Sequence, residues 1–178
     1  PLRVANRMAS RELYSWHIST DDGKPIATTS QIPIPADSAF DPAARVAPLF
    51  VVASYAPLTA LSDNLLKSLS QARRFRDAII GIENGVWPMA EAGLLNDRKV
   101  AAHWEDADAL AAHYPFLDVV SQRHVIDGNR ITAAGSLPTL DMMLELIRAR
   151  QGFAFAMSVS RQFIYTPAGD VDNLSPTP

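Results

Sequence analysis

Apolar positions along the chain fall into distinct kinds of segment. Ala78-Ile-Ile-Gly-Ile82 is apolar with no polar alternation, the pattern of a strand covered on both faces of a sheet, and Leu49-Phe-Val-Val-Ala53 repeats it. Tyr14, Trp16 and Ile18 alternate with polar residues, which predicts a strand over 13–20. Leu58, Leu61, Leu65, Leu66 and Leu69 recur at helical spacing, and Leu140, Met143, Leu144 and Ile147 make a second such face, stopped by Gly152.

The remaining segments fit between these. Leu2 to Met8 reads as the later part of a helix already under way, so the sequence is expected to start inside an element. Asp21-Asp22-Gly23 predicts a turn into an extended piece from Ile26 to Ser30. Ile32-Pro-Ile-Pro35 is barred from a central strand, because proline donates nothing to the ladder, and reads as an extended connection. Lys99 to His103 is a short strand, and Glu105-Asp-Ala-Asp108 opens a helix with acids where the dipole favours them. Val119-Val120 and His124-Val-Ile126 are short strands, and Asp127-Gly-Asn129 turns into the strand Ile131-Thr-Ala-Ala134. A last helix carries Phe153, Met157, Ser160 and Ile164. Strands alternating with helices predict an α/β fold with a mainly parallel central sheet. One domain is expected over 1–166, with 167–178 as a tail or linker rich in Pro, Gly, Asp and Ser.

At 178 residues the chain suits a single core, and a formal net charge of −3 gives no basic field with which to hold nucleic acid. The absence of cysteine removes disulfides, thiolate metal sites and any thiol nucleophile, and is compatible with a cytoplasmic protein. No apolar run is long enough to predict a membrane span.

The candidate chemistry gathers where the second apolar run breaks. Glu83-Asn84-Gly85 follows Ile82 directly, and Pro88 falls where the first turn of a helix tolerates it. Strand, tight turn and helix form the context of a nucleophile elbow, with Glu83 at the tip. Its carboxylate suits a nucleophile, a general base, a ligand contact, or a plain bond to helix-terminal amides. His103 and Glu105 flank Trp104 at the end of a strand expected on the same sheet edge. They suit a polar rim, and two ligands without a third in register predict no metal site. Tyr55, Trp87 and Trp104 are either core or the walls of a pocket whose rings and carboxylates favour a cation. His17, His113 and His124 have no companions and read as surface or satisfied histidines.

The run from Glu83 to Leu95, followed by Val100-Ala-Ala-His-Trp-Glu105, resembles the N-terminal domain of AraC-type transcriptional regulators with a class I glutamine-amidotransferase-like fold. Pro1 to Asn6, Val125-Ile-Asp-Gly128, and Ile131 to Gly135 followed by Leu140-Asp-Met-Met-Leu144 extend the resemblance over essentially the whole chain. It implies a flavodoxin-like three-layer sandwich of the PfpI-type superfamily, with a strand and half a helix expected before Pro1. It further implies a non-catalytic, effector-sensing and dimerising domain, with DNA contacted only through a helix-turn-helix domain expected beyond Pro178. The expected ligand is a small cationic amine or amino-acid-derived metabolite at Glu83, Asn84, His103, Trp104, Glu105, Tyr55 and Trp87, with no cofactor. The homodimer would use one of the amphipathic helical faces. The alternative is a superfamily enzyme, a hydrolase or lyase on a small carbonyl compound, using Glu83 and His103. The chain departs from the pattern in three places: Glu83 where superfamily enzymes carry cysteine, Trp87-Pro88 where aliphatic residues are usual, and Ser136-Leu-Pro138 in place of a small-residue segment.

Overall fold

The two apolar runs lie side by side at the centre of the protein. In the computed structural model, which describes residues 1–45, 48–55, 57–59 and 61–167, the chain opens with α1 (Leu2–Ala9). Four two-residue strands follow: β1 (Ser19–Thr20), β2 (Ile26–Ala27), β3 (Pro33–Ile34) and β4 (Ser38–Ala39). Then come β5 (Leu49–Ala53), α2 (Asp63–Ala72), β6 (Ile79–Glu83), α3 (Val86–Glu91), β7 (Lys99–Ala101) and α4 (Ala107–His113). The chain continues with β8 (Asp118–Val120), β9 (His124–Asp127), β10 (Arg130–Ala133), α5 (Ser136–Gln151) and α6 (Phe153–Arg161).

The central sheet has the order β5-β6-β10-β9. β5 and β10 both run parallel to β6, with Leu49 and Arg130 opposite Ile79, and only β9 is antiparallel. Successive side chains point to opposite faces, so each strand feeds two cores. Ile79, with Leu49 and Val51, joins Leu69, Val86, Met89 and Leu110 beneath α2, α3 and α4. Ile80, with Phe50 and Ile82, joins Met142 and Met143 of α5 on the other side. Behind α5, the residues Ala5, Leu144, Ile147, Ala156 and Val159 bind α1 and α6 into the same layer. Helices thus cover both faces of a mainly parallel sheet. The pair β7-β8 is also parallel, and is fastened to β10 where the Ala101 amide donates to Thr132 Oγ1 at 2.8 Å.

Two features fix the geometry around the ends of the strands. Gly85 lies so close to β5 that a Cβ there would stand 2.0 Å from the Val51 carbonyl oxygen, so no larger residue fits. On α5, the buried Asp141 accepts from Arg123 Nε at 2.6 Å and from the Tyr165 hydroxyl at 2.7 Å, and Arg123 Nη2 donates to that hydroxyl at 2.9 Å. Ser160 Oγ also donates to the Tyr165 carbonyl, so the segment after α6 is held against α5. Burial first, and then its bond to Asp141, push the Tyr165 phenol above its ordinary range and keep it a neutral donor.

Several expectations need correction. The strand over 13–20 contracts to Ser19–Thr20, which pairs in parallel with β4. Asn6 takes the earlier residues: its Oδ1 accepts from the amides of Leu13 and Tyr14, and its Nδ2 donates to the Tyr14 carbonyl, bonds that a ladder would need. The helix expected from Leu58 starts at Asp63, because Ser62 Oγ caps the Leu65 amide at 2.9 Å and leaves Leu58 and Leu61 outside. His103 lies two residues past the end of β7 rather than within a strand. Pro33–Ile34 is extended as expected, and makes a two-residue pairing with β2 at the exposed periphery. The tail expected over 167–178 lies, apart from Pro167, outside the described residues.

Candidate functional site at the carboxyl edge of the sheet

β5 and β6 end together, with Ala53 opposite Glu83. Past that point the backbone reverses sharply: Gly85 N donates to the Ile82 carbonyl at 2.8 Å, Asn84 N reaches the Ala53 carbonyl at 3.2 Å, and Trp87 N bonds the Asn84 carbonyl at 3.1 Å as α3 begins. The turn throws Glu83 into the left-handed region at φ 52°, where an L side chain is disfavoured by roughly 1–2 kcal/mol. This is the geometry of an elbow, with a carboxylate at its tip. Glu83 Oε1 accepts from Ser136 Oγ at 2.7 Å, which connects the elbow to the first residue of α5. Gly135, before it, has φ 158°, and a Cβ there would approach His103 Cδ2 at 3.7 Å. Glu83, Ser136 and His103 therefore line one rim.

A cleft of about 340 Å³ opens beside the elbow between the loop after β5 and the start of α4. Tyr55, Leu58, Asn84, Trp87, Asp106 and Ala109 are among its walls. Asn84 is almost fully buried while Tyr55 is exposed, so the cleft has a closed floor and an open aromatic edge. Trp87 is held from behind by aromatic packing, edge-on to His113 and Tyr114 at centroid distances of 6.0 and 5.9 Å. Tyr114 in turn donates to Glu91 Oε2 at 2.5 Å. Burial, reinforced by Glu91, drives its phenol far above the usual value, so it remains a neutral donor throughout the physiological range.

The structure divides the residues singled out in the sequence into two groups. Tyr55, Asn84 and Trp87 line the cleft, whereas Glu83 and His103 share the neighbouring rim with Ser136. Trp104 and Glu105 are exposed beside His103: the His103 and Trp104 rings are 5.8 Å apart, and Glu105 Oε2 is 3.7 Å from His103 Nδ1. Trp104 and Glu105 are not among the walls of the cleft. No cluster of three metal-ligating side chains occurs among the described residues. Sequence reasoning missed Ser136, Leu58 and Asp106. The first is signalled only by Gly135-Ser136 after an apolar strand, and the last was read solely as part of a helix start.

The strain at Glu83 yields a direct test. Glu83→Ala should lose the Ser136 bond and keep the strain, whereas Glu83→Gly should lose the bond and relieve the strain, leaving the glycine variant more stable by about 1 kcal/mol. Urea midpoints of the two variants measure this, and equal midpoints would exclude a strained elbow.

Comparison with known proteins places this geometry. No family model matches the chain. The HTH-type transcriptional regulator CdhR of Pseudomonas aeruginosa is 40% identical over 164 residues, which is 92% of this chain and 48% of the relative. The HTH-type regulator GbdR of the same species is 30% identical over 165 residues, 93% of this chain and 45% of the relative. An isonitrile hydratase of Pseudomonas putida is 33% identical over 109 residues, 60% of this chain and 46% of that enzyme. Among solved structures, an AraC family transcriptional regulator from Pseudomonas putida superposes with a TM-score of 0.79 at 22% identity, covering 91% of this chain and 87% of that one. A THiJ/PfpI family protein from Pseudomonas syringae gives 0.77 at 22% identity, covering 96% and 71%. The fold, a flavodoxin-like α/β sandwich with helices on both faces of a mainly parallel sheet, is the one these solved structures share. Over nearly its whole length the chain is similar to part of these HTH-type transcriptional regulators, and it spans about half the length of the curated regulators it matches.

Proposed function

We propose that this chain is the effector-sensing and dimerising domain of a cytoplasmic transcriptional regulator, and that it binds a small cationic or zwitterionic metabolite without transforming it. The observation that carries this reading is the cleft beside the elbow, where the aromatic residues Tyr55 and Trp87 and the acidic Asp106 line one space. Rings and carboxylate favour positive charge together. The site opens outside the carboxyl ends of β5 and β6, where ligands gather in open α/β sheets. Relatives that are HTH-type regulators support the regulatory role. DNA would be contacted through another part of a homodimeric regulator, and the effector would act by binding one arrangement of its domains more tightly than another. No helix among the described residues is long and apolar enough to cross a membrane, which is compatible with this role.

Titration calorimetry with small amines and their neutral isosteres tests the proposal. Amines should bind, and Asp106→Asn should weaken them by about tenfold while leaving neutral isosteres unaffected, in keeping with a charged contact of roughly 1.5 kcal/mol. Binding of neutral isosteres alone would refute it.

The second reading, an enzyme acting on a small carbonyl compound through Glu83 and His103, draws on the Glu83–Ser136 hydrogen bond beside His103 and on the resemblance to an isonitrile hydratase. The chain contains no thiol to serve as nucleophile. Assays on amides, esters, glyoxals and isonitriles should therefore stay at background. Turnover that disappears in Glu83→Gln would establish the enzyme instead.

A further inference from the structure

The opposite end of the sheet carries a buried positive charge that no acid meets. Arg130 opens β10 beside the first residue of β6, one strand length from the elbow, and is only 9% exposed. Carbonyls alone hold its guanidinium: Nε donates to the Leu94 carbonyl at 3.0 Å and Nη1 to the Asn129 carbonyl at 3.2 Å. Nη2 makes no hydrogen bond among the described residues and is open to solvent. Buried charges are ordinarily paired. Asp127 stands opposite Arg130 in the β9–β10 pair, where facing side chains lie on the same face of the sheet. Its carboxylate is already taken, by Arg98 Nη1 at 2.9 Å and by the Lys99 amide at 3.0 Å. That bond brings a second guanidinium to the same turn, with Arg98 Nη1 3.4 Å from where a Cβ on Gly128 would stand. Arg73, just past the end of α2, supplies a third: burial first, then the charges of Arg98 and Arg73, lower the pKa of Arg130. Asp77 and Asp97 lie nearby in sequence, but both are exposed and neither carboxylate pairs with the three guanidiniums.

We propose that this end of the sheet is a second binding site, for a small oxyanion of the phosphate type held by Arg73, Arg98 and Arg130. Planar guanidinium forks match phosphate oxygens in geometry as well as in charge. A carboxylate offers two oxygens in one plane and satisfies one such fork, whereas a tetrahedral phosphate can be met from three sides. Charge points the same way: with Asp127 neutralising one of the three guanidiniums, a dianion balances the remainder. The chain as a whole has a formal net charge of −3, so no extended basic field surrounds the site, which suits a free ion or a small monoester rather than nucleic acid. The site lies at the amino ends of β6 and β10 and does not depend on what the cleft at the carboxyl edge binds.

The test is calorimetric titration of the wild-type chain with inorganic phosphate and with methyl phosphate at fixed ionic strength, beside acetate as a control and a short DNA duplex. At least one of the two phosphates should bind about tenfold or more tightly than acetate, and the tighter of them names a free ion or a monoester as the occupant. Arg73→Gln changes an exposed position, so its melting temperature without phosphate should match the wild type while its phosphate affinity falls about tenfold. Arg130→Lys keeps the charge but loses the fork, and should weaken phosphate by at least as much; if that variant does not fold, Arg73→Gln decides. Phosphates that bind no better than acetate, or equally well to Arg73→Gln, would overturn the site and show the three arginines to be structural. Binding of the duplex where neither small phosphate binds would overturn it in favour of nucleic acid. Each of these failures leaves the sensing proposal standing, because its cleft lies at the other end of the sheet.

Discussion

Gly85→Ala is expected to leave the chain largely unfolded, with little soluble protein and no cooperative thermal transition. The added methyl would lie 2.0 Å from the Val51 carbonyl oxygen and 2.9 Å from the Ile82 amide nitrogen. Those are backbone atoms of the two paired strands, so no rotamer change relieves the overlap. Either β5 moves away from β6 or the elbow opens. Overpacking into a closed core costs about 1–3 kcal/mol where side chains can give way, and a rigid backbone puts this substitution beyond that range. Against a total stability of roughly 5–15 kcal/mol for a typical domain, such a loss is most of what holds the fold together. Gly93→Ala provides the control. Gly93, unlike Gly85, has a positive φ, 67°, but a Cβ there meets nothing within 4 Å, so the cost should stay near 1 kcal/mol. Similar circular dichroism melts for the two variants would refute the close approach at Gly85.

Asp141→Ala should destabilise the protein by about 3 kcal/mol, seen as a shift in the urea midpoint without a change in slope. Asp141 is 7% exposed and binds both Arg123 and Tyr165. Truncation strips a guanidinium of its counter-charge and a phenol of its acceptor at once, and the larger part of the penalty comes from what is left behind. Arg123 retains some access to water, its side chain being 24% exposed, which places the loss at the lower end for a broken buried pair. Asp141→Asn keeps an acceptor for Tyr165 and should cost about half as much. A loss below 1 kcal/mol for the alanine variant would show that the network is ornamental to stability.

The central architecture was legible because it rests on burial. Leu49 to Ala53 and Ala78 to Ile82 read as doubly covered strands, and they form the paired core of the sheet. The elbow was legible because apolar run, Asn-Gly and Pro88 constrain the backbone at three successive points, and Glu83 indeed adopts a positive φ. The segment over 13–20 was misread because alternation signals a strand only if the backbone is free to pair, and the Asn6 side chain had already claimed it. The start of α2 was misread because leucine spacing continues upstream while Ser62 ends the helix by capping. Membership of the candidate site was the least legible. Whether a residue near a strand end faces the cleft or the neighbouring rim depends on a local turn: the chain leaves β7 two residues before His103, which carries Trp104 and Glu105 away to solvent. Ser136 meets Glu83 from 53 positions away, a juxtaposition no local pattern encodes.

The position of β10 in the sheet has a consequence for how the chain is born. β6 has β5 on one side before it is made, but its other neighbour is β10, whose Arg130 stands opposite Ile79. A ribosome adding about 5–20 residues per second needs roughly 3–10 s to traverse the intervening stretch. Throughout that interval one flank of β6, with Ile80 and Ile82, offers an open ladder edge. β10 then joins this edge with β9 as its antiparallel hairpin partner, so closure of the sheet is a late, long-range event. Yield at high expression rates should accordingly depend on holdase chaperones that shelter this edge until β10 arrives.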